Sequence, residues 1–75
     1  MNGKIPRISP TKLIHAIEKM GFLPVRQSGS HRIFRNSEGV RITVPFHAKK
    51  TIHPKIIKTI LRDLDMTLDE FKKFL

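Results

Sequence analysis

The sequence predicts an α+β domain of order α-β-β-β-α, with a three-stranded antiparallel sheet, helices on one face and a short C-terminal helix. Three observations predict it. Two segments, one near residue 10 and one near residue 54, carry apolar residues at helical spacing, and each opens with proline. Between them lie three short segments separated by turn residues, one with clear period-two alternation. Packing helices on one face of an antiparallel sheet is the economical way to bury such stripes.

The elements follow in order. Met1 to Arg7 reads as a loose basic lead-in, with Gly3 and Pro6 opposing regular structure. Ser9 suits a helix cap and Pro10 the first helical position. Leu13, Ile14, Ile17 and Met20 then form one apolar stripe, and Gly21 is a stop, so a helix is expected over about 10–20. Phe22 to Gln27 reads as a short strand that Pro24 demotes to an edge. Ser28-Gly29 is a turn, Ser30 to Asn36 the second strand, and Asn36 to Gly39 a hairpin turn.

In the third strand Val40, Ile42, Val44 and Phe46 alternate with Arg41, Thr43 and Pro45. On the second strand, alternation sets His31, Ile33 and Arg35 against Arg32, Phe34 and Asn36. Phe34 is the larger apolar group and is assigned to the core, which leaves His31 and Arg35 on the open face. A slip of one residue would reverse every assignment. His47 to His53 is a polar basic loop. Pro54 opens a helix with Ile56, Ile57, Ile60, Leu61 and Leu64 on its apolar face, ending at Asp65-Met66. Thr67-Leu68-Asp69-Glu70 is a capping box for a last short helix, with Leu68, Phe71 and Phe74 or Leu75 as apolar contacts.

Composition narrows the function. Seventy-five residues, 39% hydrophobic and 28% charged, fit one globular domain over residues 1–75. There is no cysteine, which excludes a disulfide scaffold and a thiolate metal site. No apolar run is long enough for a membrane span or a signal peptide, so a cytoplasmic address is expected. Fifteen Lys and Arg against six Asp and Glu give a net charge of +9. That balance points to a polyanionic partner.

The charge has a pattern. Lys12, His15 and Lys19 share one face of the first helix, and Lys55, Lys58 and Arg62 repeat the spacing on the second. Lys49 and Lys50 precede the second helix, whose N-terminus carries a partial positive charge, so this corner suits a phosphate. The strands add Arg32, Arg35 and Arg41. Any one lysine is ordinarily a solvated charge. The set, unbalanced by acids, makes a polyanion-binding surface.

No thiol nucleophile, P-loop or dinucleotide fingerprint is present. Asp63 and Asp65 are the only pair suggestive of a metal, and two residues apart on a helix they point in different directions. His47 and His53, joined by His31, have the count for zinc but sit among cations without a nearby acid. No metal or cofactor is therefore expected. His31 remains, at the start of a strand among Arg26, Arg32 and Arg35. A neutral imidazole accepts a proton, and cations stabilise a phosphorane. RNA is the natural substrate, because its own 2′-OH, deprotonated, attacks the adjacent phosphate without a metal. Against this, a lone surface histidine is more often a passive phosphate contact.

Gly29-Ser30-His31 ahead of a strand, Val44-Pro45-Phe46-His47 closing the next, Ile60-Leu61-Arg62-Asp63-Leu64, Thr67-Leu68-Asp69-Glu70-Phe71 and the opening Gly21-Phe22 together resemble the HicA toxin family. These are small mRNA interferases of type II toxin–antitoxin systems, and the resemblance covers nearly the whole chain. It departs before the second helix, where many members carry a Lys-Gly step and this chain has His53-Pro54-Lys55. The resemblance implies a double-stranded-RNA-binding-domain-like fold, RNA cleavage with His31 as the catalytic residue, and a HicB-type antitoxin covering the site.

With the charge pattern it gives Lys12, Lys19, Ser30, Arg32, Arg35, His47, Lys49, Lys50, Lys55 and Lys58 as RNA-contacting candidates. Three readings stand side by side: a ribonuclease toxin, a non-catalytic RNA-binding module of the same fold, and a domain whose charge serves only an acidic protein. Replacing His31 separates the first two, and salt-sensitive RNA binding separates the last two.

Overall fold

Each element of the chain begins and ends for a local reason. In the computed structural model, which describes residues 5–47 and 50–75, the order is α1 (Pro10–Lys19), β1 (Leu23–Ser28), β2 (His31–Arg35), β3 (Arg41–Pro45), α2 (Pro54–Leu64) and α3 (Leu68–Lys72). This is the expected α-β-β-β-α order with a short last helix. The Ser9 hydroxyl accepts the Lys12 N–H at 3.1 Å, and Pro10 fills a position where no N–H is needed. Gly21, at φ +98°, closes α1. Its N–H donates to the Glu18 carbonyl and the Phe22 N–H to the Ile17 carbonyl, both at 3.0 Å. Phe22 and Ile17 are both buried, which completes the left-handed stop with apolar packing. Because the Phe22 N–H serves the helix, the first strand starts one residue later than expected.

The three strands form one antiparallel sheet in the order β1-β2-β3. Pro24 pairs with Phe34 and Arg26 with Ile33, so the ladder slips at Val25. A proline that donates nothing is tolerated at a bulge on an edge strand. Between β2 and β3 the Asn36 side-chain oxygen accepts the N–H groups of Glu38 at 3.0 Å and Val40 at 2.8 Å. That turn fixes the register: Arg35 opposite Arg41, Ile33 opposite Thr43, His31 opposite Pro45. Phe34, Ile42 and Val44 face the core, as the alternation predicts.

Both long helices cover that one face. Leu13, Ile14 and Ile17 of α1 and Ile57 and Ile60 of α2 share a single cluster with Phe34, Ile42 and Val44, joined by Phe71 of α3. The other face of the sheet is left open. β1 lies outside the cluster, with Leu23 67% and Val25 54% exposed. The lead-in, expected to be loose through Arg7, is anchored earlier. Ile5 packs on the core, Ile8 is buried, and the Ile8 carbonyl accepts the Ile52 N–H at 2.7 Å. Two isoleucines three apart suffice to dock it, a signal that Gly3 and Pro6 obscured.

Candidate functional site

His31 is the first residue of β2 and follows a two-residue turn. Gly29 holds φ +59° there while Ser30 does not have positive φ, the sign pattern of a type II′ hairpin, which suits the strand twist. The Ser30 carbonyl accepts the Phe46 N–H at 2.6 Å, pinning the turn to the end of β3. His31 is therefore exposed yet held by backbone on both sides.

His31 lines a groove of ≈ 410 Å³ that runs along the β3 edge of the sheet beside α2. β3 supplies Arg41, Thr43 and Pro45, and α2 supplies Ile56, Thr59 and Asp63, over Ile42 and Ile60. The α2 set recurs at i, i+3, i+4 and i+7, so one helix face serves the groove while Ile57 faces the core. The groove thus joins an imidazole, a guanidinium, a carboxylate and two hydroxyls above an apolar floor. Arg35, opposite Arg41, adds a second guanidinium on the same sheet face. Arg41, Thr59 and Asp63 were not among the residues expected to form the site. The β2–β3 turn carried the signal for Arg41, and the helical phase shared with Ile56 and Ile60 carried it for Asp63.

The other candidates are dispersed. Ser30 adjoins His31 in the turn and is exposed. Arg32 projects to the helical side, half-buried, with its guanidinium carbon 3.9 Å from the centre of the Phe46 ring. There it lines a separate cavity of ≈ 370 Å³ with Ile14, Glu18, Pro24 and Phe34. Lys12 and Lys19 belong to α1, on the side of the sheet away from His31, and Lys19 Nζ donates to the Phe74 carbonyl at 3.2 Å. Lys55 and Lys58 are exposed on α2, beside the face that lines the groove. Lys49 lies outside the described residues.

His47 and Lys50 line a third cavity, ≈ 220 Å³, with Pro10 and His53, so the beginnings of both long helices meet at this corner. His53 Nδ1 accepts the Lys55 N–H at 3.0 Å and caps α2. His47 and His53 are thus in one cavity and His31 in another. Asp63 lines the groove, whereas Asp65 ends α2 in the left-handed conformation, φ +52°. Among the described residues no three His, Cys, Asp or Glu side chains group as metal ligands.

Fold and site together define a small basic α+β domain in which the sheet face left open by the described residues presents a fixed histidine at one end and two arginines at the other. Residues 11–66 match the model of the family described as the HicA toxin of bacterial toxin–antitoxin systems, and the chain belongs to that family. Its role is accordingly that of a toxin with an antitoxin partner. Among curated proteins none matches the chain. Among the described residues no helix is long and apolar enough to cross a membrane.

Proposed function

We propose that the protein is an endoribonuclease, an mRNA interferase whose single domain over residues 1–75 cleaves mRNA in the cytoplasm with His31 as the acid/base group. The observation that carries this reading is the position of His31, exposed, pinned by its turn, and sharing the groove with Arg41 and its sheet face with Arg41 and Arg35. A reaction whose nucleophile is the substrate's own 2′-OH needs a proton acceptor and donors for the phosphorane oxygens, and no metal. Histidine and arginine meet those needs. Lys50, Lys55 and Lys58, with Lys12, Lys19 and Lys49, supply sequence-independent attraction for the RNA backbone. Ser30, Arg32 and His47 are the remaining RNA-contacting candidates.

The antitoxin is proposed to be a HicB-type acidic protein that buries His31, Arg35 and the His47 loop. Opposite charges steer such an encounter, and occlusion needs no conformational switch. RNA and antitoxin then compete for one surface, and binding of a non-cleavable RNA to the preformed complex tests this: a ternary complex with RNA on His31 contradicts it. For the activity itself, induction of the protein alone is expected to arrest growth and deplete mRNA. His31→Ala is expected to relieve both. A folded His31→Ala protein as toxic as the parent would remove His31 from the chemistry.

A further inference from the structure

The groove contains one more titratable group than a reaction run by His31 alone would use. Cleavage by the 2′-OH requires two proton transfers, one from O2′ as it attacks and one to O5′ as it leaves. The two oxygens stand in line on opposite sides of the phosphorus. A single imidazole on one wall serves one of them at a time. The second titratable side chain is Asp63, and it lies on the opposite wall.

The placement is suited to a division of labour. Pro45, the residue opposite His31, shares two cavities with Ile56, so the start of α2 lies at the His31 end. Asp63 is seven residues further along α2, about 10 Å by the rise of a helix. Arg41 lies four residues along β3 from Pro45, toward the Asp63 end, and lines the groove. His31 from β2, Arg41 from β3 and Asp63 from α2 are the charged and titratable groups that line it.

We propose that Asp63 is the general base and His31 the general acid of one cleavage step, with Arg41 holding the non-bridging phosphate oxygens. This assignment rests on the ribonuclease reading. The Asp63 carboxylate takes the 2′-OH proton as the O2′–P bond forms. The P–O5′ bond breaks, and the His31 imidazolium gives its Nε2 or Nδ1 proton to O5′. The products are a 2′,3′-cyclic phosphate and a 5′-hydroxyl. The protein is left with a neutral carboxylic acid and a neutral imidazole, and exchange with water restores both. Thr43 offers a hydroxyl to the ribose, and Thr59, whose hydroxyl donates to the Lys55 carbonyl at 3.1 Å, offers an acceptor from the other wall.

The experiment compares the parent, Asp63→Asn, His31→Ala and Asp65→Asn on two RNAs. One is normal, and the other carries sulfur in place of the 5′-bridging oxygen at the cleaved phosphate. Asp63→Asn is expected to slow cleavage of the normal RNA by about 10²-fold or more, the usual contribution of a general base. It should also lose the acidic limb of a bell-shaped pH profile while keeping the alkaline one. The sulfur substrate should restore His31→Ala, because a thiolate leaves without a proton, and should leave Asp63→Asn slow. Asp65→Asn, at the C-cap of α2 and outside the residues that line the groove, should match the parent.

An Asp63→Asn protein with the parental rate and pH profile would overturn the assignment alone. So would a sulfur substrate that restores Asp63→Asn and leaves His31→Ala slow. A parent inactive on both RNAs would instead overturn the ribonuclease reading itself, and this assignment with it.

Discussion

Arg32 and His31 are neighbours in the chain and opposites in environment. His31 stands on the open face, and Arg32 passes through to the helical side, where it covers the Phe46 ring at 3.9 Å. The guanidinium there is half-buried, so its first role is packing. Arg32→Ala is expected to cost about 0.5–1 kcal/mol of stability in a thermal or urea melt, the scale of an exposed cation–π contact, while Arg35→Ala costs less. Which side the β2 and β3 residues take was legible once Phe34, the larger apolar group, was set in the core beside Ile42 and Val44. The membership of the groove was not. Asn36 sets the register of Arg41 and helical phase sets that of Asp63 locally, but that the two meet in one groove depends on how α2 crosses the sheet, which nearby sequence does not carry.

At the scale of elements, α3 is five residues long and depends on its start. The Thr67 hydroxyl accepts the Glu70 N–H at 3.1 Å, and Glu70 Oε1 accepts the Thr67 N–H at 2.9 Å. Thr67→Ala is expected to lower stability by about 1 kcal/mol in equilibrium unfolding. The backbone hydrogen bond from Thr67, then the one with its hydroxyl, then the charge of Lys73 hold the Glu70 carboxyl below the usual carboxylate range. A group lowered in the folded state stabilises above its unfolded pKa and loses that contribution as pH falls through its folded value. The gap in stability between parent and Glu70→Ala should therefore narrow on acidification, and melts from neutral pH down through the carboxylate range measure it. The capping box was legible because its chemistry is local. The docking of Ile5 and Ile8 was not, because it depends on Ile52, more than forty residues away.

For the whole molecule, the net charge of +9 is spread over both layers. Lys12 and Lys19 lie on α1, away from the groove, whereas Lys55 and Lys58 lie on α2 and border it. Helical spacing told that all four are exposed and could not tell which of the two helices would border the groove. The consequence is an unequal share in RNA binding. Replacing Lys55 and Lys58 together should weaken unrelated single-stranded RNAs about equally and lower the salt slope by roughly 0.7 for each phosphate no longer neutralised. Titrations across a salt series check this, and an unchanged slope would place those lysines off the RNA path.

In the proposed reaction His31 moves a proton during a metal-independent cleavage of RNA. The most direct test is to incubate purified parent and His31→Ala protein with an end-labelled RNA in EDTA and to identify the product ends. The parent is expected to cleave with 2′,3′-cyclic phosphate ends, and a His31→Ala protein whose circular dichroism matches the parent is expected not to cleave. Cleavage by folded His31→Ala at the parental rate would contradict the proposed reaction, as would activity lost in EDTA and restored by Mg²⁺.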